Sequence, residues 1–147
     1  MIRPATLDDV PTLMTLEKHA AAAAHWSLEQ YRAVFSPSPI SRIALVIDDG
    51  GAIQGFLMAR GVGPEWELES IAVASPARRR GLGARLIGEF LKVARSRGAT
   101  AVFLEVRESN AAARLLYEKW AFSESGRRAN YYLNPAEAAI TYRLDFS

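Results

Sequence analysis

Three β-rich runs follow one another between residues 42 and 73, and a helical stripe begins only nine residues later. "RIALVID" (42–48) and "AIQGFLMAR" (52–60) are joined through Asp49, Gly50 and Gly51, residues that tolerate the positive φ a tight hairpin turn demands. "EWELESIAV" (65–73) alternates, which predicts Glu67, Glu69, Ile71 and Val73 on one face and Trp66, Leu68, Ser70 and Ala72 on the other. The pattern then changes period: Leu86, Ile87, Phe90, Leu91 and Ala94 form a helix stripe stopped by Gly98. "TAVFLEV" (100–106) reads as a strand, "SNAAARLLYEKW" (109–120) as a helix capped by Ser109 or Asn110, and "FSESGRR" and "AAITYRLDF" as a last hairpin. Upstream, "MIRPAT" predicts a short strand, "LDDVPTLMTLEKHAAAA" a helix started by Thr6 or Asp8, and "SLEQYRAVF" a second helix. An antiparallel meander feeding a β-α-β-α unit and a hairpin requires an α/β chain with a mixed sheet and helices on both faces. We expect six or seven strands and about four helices.

The length of 147 residues suits one domain, 1–147, with a sizeable core. Half the residues are hydrophobic and the formal net charge is only +2, which argues against a disordered chain and against a general nucleic-acid binder. There is no cysteine, which excludes disulfides, thiolate metal sites and a cysteine-bound acyl intermediate, and His19 and His25 with scattered carboxylates make no metal-ligand pattern, so no metal is expected. No apolar run approaches the length that crosses a bilayer, and the N-terminus lacks an apolar leader, so a cytoplasmic protein is expected.

The chemistry-bearing stretch is "SPARRRGLGARL" (75–86). A strand, a short connection and Gly81-Leu82-Gly83 opening a helix aim several backbone N–H groups at one point, with the helix dipole behind them and Arg78, Arg79 and Arg80 adding charge. That is a cradle for a phosphorylated ligand. A Walker A loop is excluded because no Gly-Lys-Ser/Thr follows, and a dinucleotide fingerprint fails because Leu86 stands where its third glycine belongs.

Arg78-x-x-Gly81-x-Gly83 after "ESIAV", followed by "LEVRESNAAARLLYEKWAF", resembles the GCN5-related N-acetyltransferase (GNAT) family, which binds acetyl-coenzyme A. "HWS" (25–27), the segment around Asn110 and "RRANYY" (127–132) look most like its ribosomal-protein-alanine, or RimI-type, members, which acetylate a protein's N-terminal amine. The resemblance implies the GNAT acyl-CoA N-acyltransferase fold. It implies acetyl-CoA held by the backbone of Ile71, Ala72 and Val73, by main-chain N–H groups over Arg79, Arg80, Gly81, Leu82, Gly83 and Ala84 beside Arg78, and by Asn110. It also implies Glu105 as general base and Tyr117 as general acid.

Glu105 shares a strand face with Ala101 and Phe103, so its carboxylate is expected in partly apolar surroundings; the alternative is an ion pair with Arg107, two residues on. Tyr117 follows Asn110 by two helical turns and faces the same way, while Leu115, Leu116 and Trp120 are expected to fill the core. Glu69 is a rival base or a holder of the cationic acceptor, and Trp26, Tyr131 and Tyr132 are candidates for an acceptor groove. Direct transfer in a ternary complex to a peptide or protein N-terminus, such as that of a ribosomal protein, is the leading expectation, from a monomer or weak dimer. A small-molecule or lysine acetyltransferase is the second. A non-catalytic module binding RNA or a ribosome through Arg78–Arg80, Arg127 and Arg128 is the third, although no direct nucleic-acid contact is expected.

Overall fold

The computed structural model describes residues 1–18, 26–74, 80–132 and 136–146. Its elements follow the predicted order: β1 (Ile2–Pro4), α1 (Val10–Lys18), α2 (Leu28–Val34), β2 (Arg42–Asp49), β3 (Ala52–Val62), β4 (Glu65–Val73), α3 (Leu82–Ser96), β5 (Ala101–Arg107), α4 (Ala111–Lys119), β6 (Ser123–Tyr132) and β7 (Glu137–Asp145). The alanine run 20–24 expected to end α1 lies outside the described residues. Local chemistry sets the boundaries. Thr6 and Asp9 make a capping box ahead of α1, and Ser27 caps α2 through the amide of Gln30. Among the described residues no helix is long and apolar enough to cross a membrane.

All seven strands form one sheet in the order β1-β2-β3-β4-β5-β7-β6. Every neighbouring pair is antiparallel except β4 and β5, whose parallel ladder has three pairs and ends at Glu67 opposite Phe103. Both strands continue past that point, β4 paired on its other side with β3 up to Val73 and β5 with β7 up to Arg107. The sheet therefore splits into two halves, β1–β4 and β5-β7-β6, joined at one end and parted at the C-terminal ends of the two parallel strands.

A β-bulge contributes to the parting. The β3–β4 register steps from Met58 opposite Ser70 to Ala59 opposite Leu68, which leaves Glu69 as the extra residue and bends β4. The bulge also overturns the alternation expected for this strand. Trp66 and Leu68 point into one core layer, and after the inserted residue Ile71 points into that same layer, while Ala72 joins the opposite one.

The first layer packs α3 and α4 on the sheet through Leu86, Ile87, Phe90, Leu104, Ala113 and Tyr142. The second packs Val10 and Leu13 of α1 and Tyr31 of α2 against Val46, Phe56 and Met58. Helices thus lie on both faces, as expected. Fully burying one such aliphatic or aromatic side chain is worth about 1.5–3 kcal/mol, so the stripes read from the sequence are strong determinants of this architecture.

Candidate active site at the parting of the sheet

The opening between β4 and β5 lies at their carboxyl ends, where ligands of α/β sheets commonly bind. Three features converge there: the end of β4, the start of α3 and the start of α4. Gly81 precedes α3 with φ +75°, a left-handed conformation that a side chain would strain, although an added Cβ would meet nothing. Its need for glycine is conformational. Gly83 lies close to its neighbours: a Cβ there would sit 3.2 Å from Leu116 Cδ2, which would have to give way slightly, and 4.0 Å from Val73 Cγ2. Among the described residues no side chain caps the first turn of α3, and no acid lies in it, so the amides of Leu82, Gly83 and Ala84, with exposed Arg80 beside them, suit a pyrophosphate. Arg78 and Arg79 lie outside the described residues. Ile71 and Ala72 are buried and Val73 is half-buried at the end of β4, on the rim of the opening.

On the other rim, Asn110 caps α4 with its own side chain, the carbonyl oxygen accepting from the Ala113 amide at 3.2 Å. That leaves its amide nitrogen for a ligand. Two turns on, Tyr117 is itself a core residue, 4% exposed and tilted against Phe122 and Tyr142. Here the expectation reverses, for Leu115 is 59% exposed and leaves the burial to Tyr117. Burial pushes the Tyr117 phenol above its ordinary value, with the neighbouring Tyr132 adding to the shift. Its hydroxyl has no hydrogen-bond partner among the described residues.

Glu105 lies on β5 with Leu104 and Val106 turned to the α3/α4 core, so its carboxylate belongs to the opposite face. One oxygen, Oε1, is 3.4 Å from Nη2 of Arg128. The other, Oε2, is buried and has no hydrogen-bond partner among the described residues. A partnerless buried carboxylate oxygen is costly and is commonly explained by a ligand, an ion or a proton. The alternative pairing with Arg107 is not made. Arg107 turns to Glu137 at 3.3 Å and stacks over the ring of Tyr132 at 4.3 Å. Burial raises the Tyr132 phenol, and the charge of Glu105 raises it further, so Tyr132 lies within electrostatic reach of both Glu105 and Tyr117. Tyr131 packs edge-on against Tyr132 and lies beneath Arg128 at 5.3 Å.

Trp26 and Glu69 gather in a second cluster on the β4 side. Glu69, at the bulge, accepts from Arg42 at 2.8 Å and lies 3.8 Å from Arg60, and the Arg42 guanidinium sits 6.0 Å from the Trp26 ring. Burial raises the Glu69 carboxyl while Arg42 opposes the shift. Glu69 thus faces two guanidiniums, where Glu105 is paired with one. Sequence reasoning missed what anchors this cluster, the buried carboxylate of Glu17, which accepts from the Tyr31 hydroxyl at 2.7 Å and the Trp26 amide at 3.0 Å. It also missed Arg128 as the partner of Glu105. Arg127 likewise pairs with Glu108, so two of the cations considered for RNA binding are committed within the fold.

An uncapped helix start suited to an anion thus lies across the opening from a partnerless carboxylate, in a sheet split between two parallel strands. The family model for the Acetyltransferase (GNAT) family matches residues 10–122, and the chain belongs to that family. It is an acetyl-transferring enzyme of RimI-like type. A ribosomal protein bS18-alanine N-acetyltransferase of Salmonella typhimurium is 34% identical over 124 residues, 84% of this chain and 81% of the relative. The crystal structure of the ribosomal-protein-S18-alanine N-acetyltransferase from Escherichia coli superposes with a TM-score of 0.86 at 32% identity, covering 100% of this chain and 94% of that one. Arabidopsis thaliana NAA60 in complex with a bisubstrate analogue shares the fold at a TM-score of 0.88 and 18% identity, over 99% of this chain and 97% of that one.

Proposed function

We propose that the enzyme moves an acetyl group from acetyl-CoA to the N-terminal α-amine of a protein, of the ribosomal-protein-alanine kind, by direct transfer in a ternary complex. The likeness to the Salmonella relative over most of both chains supports the acceptor class. The observation that carries the chemistry is the buried, partnerless Oε2 of Glu105 at the parting of β4 and β5. In this reading the first-turn amides of α3 and Arg80 hold the pyrophosphate, the end of β4 and Asn110 hold the pantetheine arm, and Trp26, Glu69, Tyr131 and Tyr132 border the acceptor. Acetyl-CoA supplies an activated thioester, whose carbonyl carbon the amine attacks as the bond to sulfur breaks.

Glu105 Oε2 receives the amine's proton, directly or through one water. The neutral form that attacks is readily reached by an α-amine, because freeing a group of pKa near 8 costs about 1 kcal/mol at pH 7, against about 4 to 5 for a lysine near 10.4. Tyr117, raised above its ordinary value of about 10, stays protonated and is a weaker acid than a thiol near 8.5. Its hydroxyl therefore steadies the departing sulfur by donating a hydrogen bond, and full proton transfer is uphill. Glu105 and Tyr117 stand on opposite faces of the sheet, and the opening between β4 and β5 lets both reach one reacting centre.

Acetyl transfer to an alanine-started peptide, set beside transfer to an N-blocked peptide carrying lysine, tests the proposal. Modification of the first peptide is expected; modification of the blocked peptide alone would move the enzyme to the lysine class.

A further inference from the structure

Glu105 would be expected to attract any ammonium group in a cleft that receives amines. It faces one cation among the described residues, Arg128 of β6, with Nη2 3.4 Å from Oε1. Arg107, its neighbour on the same strand face, is committed to Glu137 of β7 and to the Tyr132 ring. Arg128 is itself held over the exposed ring of Tyr131. It lies just before a register break in β6, where Asn130 adopts φ +54°. One carboxylate oxygen thus carries a guanidinium while the other is kept bare on the inside.

We propose that Arg128 is a specificity-determining residue that acts as a charge filter. By neutralising Glu105 from the solvent side, it disfavours acceptors in the ammonium form and leaves Oε2 to accept a hydrogen bond from a neutral amine. A carboxylate already paired gains little from a second cation, whereas an unpaired one in a half-buried cleft attracts it. The filter discriminates against a lysine side chain, which is almost wholly charged at neutral pH, and admits an α-amine, a useful fraction of which is neutral. The filter rests on the reading of Glu105 as the group that receives the proton.

The test measures, at pH 7, the inhibition constant of an N-blocked lysine peptide against acetyl transfer to an alanine-started peptide, read as competition whether or not the lysine is itself acetylated. In Arg128→Gln the constant is expected to fall about two- to fivefold, the size fitting an ion pair with one exposed partner, with the KM for acetyl-CoA unchanged. Arg128→Lys keeps the charge and should restore the wild-type constant. In a Glu105→Gln background, removing Arg128 should make no difference. An unchanged constant in Arg128→Gln, a Lys variant that behaves like Gln, or an equal fall in the Glu105→Gln background would each overturn the filter. Full kcat in Glu105→Gln would instead overturn the role of Glu105 as base, a result separate from the three inhibition readouts.

Discussion

The two halves of the sheet are built on different terms. The half formed by β1–β4 is covered on both faces, by α3 on one and by α1 and α2 on the other, and β2 and β3 each bury a continuous run, Leu45–Ile47 and Gly55–Ala59. The half formed by β5, β7 and β6 packs Val102, Leu104, Val106 and Ile140 against the helix side, but its other face carries Glu105, Arg107, Arg128 and Tyr132. Burial on both faces makes the first half a packed platform beside the start of α3, the proposed pyrophosphate site. Leaving one face polar lets the second half hold charges that a core would have expelled or neutralised. The reacting centre is expected at the seam, where each half presents what the other lacks.

Substitutions in the two halves should accordingly fail in different ways. The largest effect should come from Phe90→Ala in the platform, where a fully buried ring of α3 is deleted. A loss of about 3–5 kcal/mol is expected in denaturant unfolding with little change in m-value. Loss of activity without loss of stability there would erase the distinction. In the second half the order is reversed. Glu105→Gln should lower acetyl transfer roughly a hundredfold throughout the range from pH 6.5 to pH 9, because the proton it takes is the one the neutral amine releases as it bonds to the acetyl carbon, and leave unfolding nearly unchanged. Wild-type rates across that range would pass the role to Glu69 or to water. Tyr117→Phe should cost about tenfold in kcat with acetyl-CoA binding retained. The smallest effect concerns the end of α4, where Ala121 takes the left-handed position at φ +70° with its amide bonded to Glu118 O and the Phe122 amide to Tyr117 O. Ala121→Gly should stabilise the protein by about 0.5–1 kcal/mol, seen as a melting temperature higher by about 2–4 °C.

The order of elements was legible because each rests on a local period or a local cap. The stripe Leu86–Ala94 could bury one face only as a helix, and "TAVFLEV" could split its residues only as a strand. The helix start at Gly81–Ala84, the proposed pyrophosphate site, was legible for the same reason, since backbone N–H groups at a helix start need no distant partner. Glu105 and Asn110 could be named as candidates, but their neighbours could not. Arg128 reaches Glu105 from 23 residues away through two strand pairings, and Glu17 reaches Trp26 across nine residues. The face of Ile71 was misread because alternation assumes an unbroken strand, and the bulge at Glu69 is a property of its pairing with β3.

Chain order alone dictates the set of strands and helices, the glycine-rich helix start proposed for the phosphate and the residue types able to move a proton, because these depend on contacts a few residues long. Tertiary structure decided that β4 and β5 part after three pairs, that Tyr117 rather than Leu115 is buried, and that Glu105 keeps one oxygen paired and the other bare. Those are outcomes of packing between segments far apart in the chain, and the sheet has to be assembled before any of them exists.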